Sequence, residues 1–145
     1  MRLIIESDVP ELFSIRTSVK ENLLRMEDLK KLGITPESVA ERLRSSNKGY
    51  IWEEDGRGVG FAISDKSNAE MWVIAVRPEY EGRGIGGKLL VAVEQVLWDE
   101  GHKEIWLLTS VPIHLKAYSF YRKHGWIDDK IVEKVRYMKK TYPGS

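Results

Sequence analysis

Val76-Arg77-Pro78-Glu79-Tyr80-Glu81-Gly82-Arg83-Gly84-Ile85-Gly86-Gly87-Lys88 is the stretch on which the reading of this 145-residue chain turns. Before it stands an apolar run, Met71 to Val76, and after it apolar residues at Leu89, Leu90, Val93, Val96 and Leu97. With Ile85, the later set recurs at helical spacing, whereas the earlier run is strand-like. A glycine-rich turn between a strand and a helix lets the backbone approach a ligand closely, and the helix mouth adds partial positive charge. Together they suit a pyrophosphate.

Two familiar phosphate loops are nominally spelled here and both fail on a neighbouring residue. Gly82, Gly87 and Lys88 imitate a Walker loop, but Leu89 stands where Ser or Thr must hold magnesium. The strand expected at Ile105 to Thr109 also lacks a terminal Asp for that metal. Gly82-x-Gly84-x-x-Gly87 imitates a dinucleotide fingerprint, which requires the glycines directly after an N-terminal first strand and an acid ending the next one. Here that next strand ends in Thr109-Ser110.

Working outward, the apolar run Met71 to Val76 has no alternation, so Glu70 to Val76 is expected to be a central strand covered on both faces. Upstream, Tyr50 to Glu54, then Asp55-Gly56, then Val59 to Ile63 form the pattern of a β-hairpin. Leu3 to Ile5 makes an opening strand. Asp8 is expected to cap a helix with Pro10 in its first turn and Leu12, Ile15, Val19 and Leu23 inward. Thr35 before Pro36 starts a second helix that buries Val39, Ala40 and Leu43, and Gly33 ends whatever precedes it. Downstream, a helix runs from about Gly84 to Glu100, with Gly101 as its terminal cap. Ile105 to Thr109 reads as another buried strand, His114 to Lys123 as a helix ended by Gly125, and Trp126 to Ile131 and Val135 to Lys139 as closing strands. No repeat or linker divides the chain, so residues 1–145 read as one domain.

The quoted stretch resembles the acetyl-CoA-binding motif of the GNAT superfamily of N-acetyltransferases. In that motif Gln or Arg, two residues, Gly, one residue, and Gly or Ala follow a strand ending in Val. Glu81, Gly84 and Gly86 fill those places, with Glu81 departing from Gln or Arg. A second match lies far downstream, where the family has Asn, Ala, Tyr, Gly and an aromatic. His114, Ala117, Tyr121, Gly125 and Trp126 keep that spacing, with His for Asn.

The resemblance implies an α/β (mixed α+β) fold: a mostly antiparallel sheet of six to seven strands, flanked by about four helices. Within it the parallel pair Glu70 to Val76 and Ile105 to Thr109 splays apart to admit pantetheine. It implies an enzyme that moves an acetyl group from acetyl-CoA to a primary amine through a tetrahedral intermediate, with no metal. Backbone groups of Ile74 and Val76, with Ala75 between them, would pair with pantetheine, and the Ile74 N–H would hold the oxyanion. Glu81, Gly82, Arg83, Gly84, Ile85, Gly86 and Gly87 would hold the pyrophosphate. Tyr121 would protonate the departing thiolate and Glu70 would accept the amine proton. Glu70 reads equally as a solvent-facing residue at a strand start. If His114, Tyr118 and Tyr121 share one helical stripe, that stripe faces the cofactor, with Ala117 beside it. Acceptor specificity would come from Arg16 to Met26, the segment to Thr35, and Trp52 and Trp72.

Composition narrows the alternatives. With 23 Lys+Arg against 22 Asp+Glu there is no charge excess aimed at nucleic acid. The absence of Cys excludes a disulfide framework, a thiol nucleophile and a Cys-based zinc site. The apolar start, Leu3 to Ile5, is too short for a signal core or a membrane span, so the expectation is a soluble cytoplasmic protein. A non-catalytic acyl-CoA sensor and a protein N-terminal or lysine acetyltransferase stay open as alternatives, as does a homodimer.

Overall fold

The computed structural model describes residues 1–19 and 26–144. In chain order the elements are β1 (Arg2–Leu3), α1 (Val9–Ser18), α2 (Met26–Lys31), α3 (Pro36–Arg44), β2 (Asn47–Glu54), β3 (Arg57–Asp65), β4 (Glu70–Val76), α4 (Ile85–Asp99), β5 (Glu104–Ser110), α5 (Lys116–Lys123), β6 (Ile127–Val132) and β7 (Val135–Thr141). One seven-stranded sheet runs in the order β1-β2-β3-β4-β5-β7-β6. Every neighbouring pair is antiparallel except β4 and β5. The mixed α/β class, the mostly antiparallel sheet and its single parallel pair are therefore as expected. Among the described residues there are five α-helices, one more than the expected four or so.

Local chemistry accounts for most of these elements. Asp55 and Gly56 both take positive φ, 53° and 77°, which is the two-residue turn that matches strand twist in a hairpin. Thr35 caps α3: its hydroxyl accepts from the Ser38 amide at 3.1 Å, and the Ser38 hydroxyl accepts from the Thr35 amide at 2.9 Å. Between β3 and β4 the register slips at Ile63/Ser64, so that Trp72 is an extra residue in β4. The bulge turns Trp72 and Val73 toward the same face of the sheet.

Two apolar clusters sandwich the sheet. Leu89, Leu90, Val93 and Leu97 of α4 pack on one face with Met71, Ile105, Leu107 and Trp126. On the other, Leu12, Phe13 and Ile15 of α1 and Val39 of α3 cover Ile51, Phe61, Val73 and Ala75. At about 25 cal/mol per Å² of apolar surface removed from water, these clusters are the main stabilising term.

Several expectations are corrected. The opening strand is Arg2–Leu3, not Leu3 to Ile5. Asp8 does not cap α1 through its side chain. Instead its carboxylate takes two bonds from Arg2 at 2.8 Å and one from the Ile5 amide at 2.8 Å, and the Arg2 bonds hold it below the usual carboxylate range. The first helix stops at Ser18 with Val19 extended, because the Thr17 and Ser18 hydroxyls take the carbonyls of Phe13 and Ile15. Leu23 lies outside the described residues. The short helix α2 had no counterpart in the sequence reading; it buries Leu29. β5 is buried on one face only, leaving Leu108 44% exposed, because α1 and α3 do not reach this side of the sheet. The helix expected from His114 begins at Lys116, because Leu115 before it is extended. Val111, just after β5, is meanwhile tied down by the Arg136 guanidinium donating to its carbonyl at 2.6 Å.

Candidate functional site

The parallel pair β4 and β5 touches in register at one place, Glu70 opposite Trp106. Beyond it the strands diverge. The Arg77 amide donates to Val59 of β3 at 2.8 Å, so by strand alternation the amides of Ile74 and Val76 point toward the β5 side. Ala75 faces the other way in the ladder, and its side chain is buried in the α1 cluster. Half of β4 thus presents backbone donors and acceptors to a wedge between two strands.

Above that wedge sits the glycine loop. Its base is fixed by Arg77, a buried guanidinium that donates to the Gly58 carbonyl (2.9 Å), Glu11 (2.8 Å) and Ser14 (3.1 Å). Pro78–Tyr80 form one tight helical turn, and Gly82 and Gly84 then take φ of 78° and 81°. Neither would meet any atom within 4 Å if it carried a Cβ, so glycine is required there by backbone conformation. Gly86 and Gly87 answer a different need. A Cβ on Gly86 would lie 3.4 Å from the Phe120 ring, and one on Gly87 would lie 2.9 Å from Nε2 of His124. These two glycines let α5 lie close against the first turn of α4. Among the described residues the amides of Gly82 to Gly87 find no acceptor, and the first amide to do so is Lys88, on the Gly84 carbonyl at 3.2 Å. Ile85 is buried beneath that turn, Arg83 lies over the Tyr80 ring at 4.9 Å, and Glu81 pairs with Lys116 at 3.1 Å.

The stripe proposed for α5 breaks up in the structure. His114 is exposed in the turn before the helix. The Tyr118 hydroxyl donates to Asp128 at 2.9 Å, and its ring lies 4.8 Å beneath the Arg136 guanidinium. The Tyr121 ring packs edge-on against Trp126, 7% exposed, and its hydroxyl makes no hydrogen bond among the described residues. Burial pushes that phenol well above its ordinary range, so it holds its proton. Ala117 packs half-buried against the same core. Fronting the glycine loop are Phe120 of α5 and His124, its C-cap residue, with Lys116 one turn before Phe120. Their spacing of four marks a shared face, but nothing in the sequence says that this face meets Gly86 and Gly87.

Glu70 is 8% exposed, so it is not a solvent-facing strand end. Burial raises its carboxyl, opposed by the Asn68 hydrogen bond and the Arg42 charge and reinforced by Asp65. It stands four residues before Ile74, about 13 Å along the strand. Near it, about 570 Å³ of open groove is lined by Leu32, Ile34, Ser38, Glu41, Arg42 and Trp72. The Arg42 guanidinium lies 3.7 Å over the Trp72 ring, a pairing that sequence spacing does not reveal. Trp52 is not part of this groove. It packs on the α4 side, with Lys88 5.5 Å from its ring, because the alternation of β2 sends it to the opposite face from Trp72.

Comparison with known proteins agrees with this geometry. A profile described as "Acetyltransferase (GNAT) family" matches residues 11–126. A mycothiol acetyltransferase of Nocardiopsis dassonvillei is 31% identical over 93 residues, covering 63% of this chain and 27% of that protein. An uncharacterized N-acetyltransferase of Methanocaldococcus jannaschii is 31% identical over 87 residues, covering 59% and 56% respectively. The matched segment thus spans about a quarter to just over half of these relatives. Among solved structures, the PaiA N-acetyltransferase of Thermoplasma acidophilum in complex with coenzyme A superposes with a TM-score of 0.82 at 19% identity, over 98% of this chain and 100% of that one. The ribosomal-protein-S18-alanine N-acetyltransferase of Escherichia coli gives 0.74 at 17% identity, over 95% and 90%. At such identities the superpositions speak for the fold, and the profile match over most of the chain settles the lineage: this chain belongs to the GNAT family of acetyltransferases.

Proposed function

We propose that this chain is an acetyl-CoA-dependent N-acetyltransferase acting on a primary amine. The observation that carries the proposal is the wedge between β4 and β5, roofed by a loop whose amides from Gly82 to Gly87 lack acceptors among the described residues. A diphosphate would take those amides, with the mouth of the 15-residue helix α4 adding favourable charge. Pantetheine would lie along the free side of β4, bonded to the backbone of Ile74 and Val76 as a missing strand would be.

In the reaction the amine nitrogen attacks the thioester carbonyl carbon, and charge develops on the carbonyl oxygen. The Ile74 N–H is the donor for that oxyanion, a contribution commonly of about 3–4 kcal/mol when removed from comparable sites. Collapse breaks the C–S bond, and the thiolate takes the proton of Tyr121, which burial keeps neutral. The amine proton leaves through water toward Glu70, since about 13 Å of strand separates that carboxylate from Ile74. A raised carboxyl is a better proton acceptor than an ordinary one near neutral pH. The acceptor would enter from the groove of Trp72 and Arg42, on the α3 side of the sheet.

The test is titration of purified protein with coenzyme A by calorimetry, followed by thiol release from acetyl-CoA with a panel of primary amines. Binding with amine-dependent thiol release is expected. Well-folded protein that binds no coenzyme A would refute the reading, and binding with no amine-dependent release would favour a non-catalytic acyl-CoA module.

A further inference from the structure

Lys116 and Phe120 stand at i and i+4 on one face of α5, and His124, its C-cap residue, follows one turn on. Phe120 and His124 lie against Gly86 and Gly87, which fixes this face as the one toward the glycine loop. Lys116, one turn nearer the helix start, reaches Glu81, and its Nζ stands 3.1 Å from Oε2. The pair joins the loop after β4 to the helix after β5, and so spans the open end of the diverging strands. Glu81 holds the very position where the family motif has Gln or Arg. A carboxylate there opposes an incoming diphosphate unless a cation offsets it.

Resting on the coenzyme A reading above, we propose that Lys116 is a binding residue for the diphosphate, poised at the loop by Glu81 and transferred to the phosphates when the cofactor binds. Lys116 is 77% exposed and Glu81 38% exposed, and pairs this open to water are weak enough to exchange partners. A diphosphate on the Gly82 to Gly87 amides offers more charge than one carboxylate, at the place where Phe120 and His124 already hold α5 close. Arg83, stacked over Tyr80, and Lys88, beside Trp52, are the other cations of the loop. Neither is on α5. Lys116 is therefore the residue through which the second half of the wedge would grip the phosphates.

Calorimetry with coenzyme A on the wild type, Lys116→Gln and Glu81→Gln tests this. Lys116→Gln should weaken binding by about tenfold, as expected for loss of one charge-assisted contact. Its affinity should also depend less steeply on salt than the wild type's. Glu81→Gln should tighten binding by roughly threefold to tenfold, since it removes a like charge and releases Lys116. Dephospho-coenzyme A should reproduce both effects, because the diphosphate is retained. If the effects vanish with dephospho-coenzyme A, the partner is the 3′-phosphate and the proposal fails. Wild-type binding matched by both variants would likewise overturn it while leaving the functional reading intact. Absence of wild-type binding takes both down. Both side chains are partly or largely in solvent, so unchanged urea unfolding is expected to accompany every affinity change.

Discussion

Gly87→Ala is the substitution in which the structure departs most from what a helix alone would predict. Gly87 lies inside α4 with ordinary helical backbone, and in an exposed helix interior Ala is favoured over Gly by about 1 kcal/mol. Here the new methyl would sit 2.9 Å from Nε2 of His124, and the ring cannot swing away freely because Nδ1 is bonded to the Phe120 carbonyl at 2.8 Å. Overpacking of this kind costs about 1–3 kcal/mol, so the single variant should be less stable than the wild type by about 1 kcal/mol. In a His124→Ala background the methyl meets open space, and the helix gain of about 1 kcal/mol returns. The coupling in the double-mutant cycle is then about 1–3 kcal/mol. Gly84→Ala serves as the control. It meets nothing within 4 Å, so its loss comes from φ of 81° and should be the same with or without His124. Urea unfolding of each variant in both backgrounds reads every term. Equal stabilisation by Gly87→Ala in the two backgrounds would show that α5 does not pack on this turn.

Three further substitutions have definite expected outcomes. Glu94, buried on α4, accepts from Trp126 Nε1 and Lys140 Nζ, both at 2.8 Å, so Glu94→Ala leaves a buried indole N–H without its acceptor and a partly buried cation with only the His124 carbonyl. Its cost should be about 3–5 kcal/mol in urea unfolding, and a loss below 1 kcal/mol would mean the pair is not desolvated. Burial raises the Glu70 carboxyl in the folded chain, so the folded state holds that proton longer than the unfolded one. Stability should therefore fall as pH climbs from the ordinary carboxylate range through the raised value, and Glu70→Gln should be the more stable protein at neutral pH with the difference vanishing in acid. The same variant should depress the alkaline-rising limb of the rate profile, and an unchanged limb removes Glu70 from the proton path. Tyr121→Phe keeps the ring against Trp126 and loses no hydrogen bond among the described residues, so its melting temperature and coenzyme A affinity should hold while turnover falls by about 100-fold. Intact turnover would exclude the phenol as the acid.

Short-range chemistry was read correctly where it is self-contained. The Asp55-Gly56 turn needs two positive φ values from neighbouring residues, and the Thr35 cap needs its partner only three positions on. The strand Glu70–Val76 came out with the expected bounds, because an unbroken apolar run can be satisfied only by cover on two sides. Helix starts were less legible. His114 matched a motif spacing, yet the helix begins at Lys116. Spacing says which residues would share a face of a helix, but not where the helix begins or which face turns inward.

By itself, then, the order of residues determined every element but α2, and the glycine loop, since each follows from hydrogen-bonding and burial patterns within a dozen residues or so, while the class of sheet followed from the family resemblance. Tertiary structure alone decided the phase of α5, which sends Tyr118 to Asp128 and Arg136, Tyr121 to the core and Lys116 to Glu81. It also decided that Trp126 and Lys140 meet Glu94 across separations of 32 and 46 residues, and that Trp52 and Trp72 lie on opposite faces. The reason is physical. A helix can rotate about its axis at little local cost, and only contacts with distant segments supply the energy that selects one rotation.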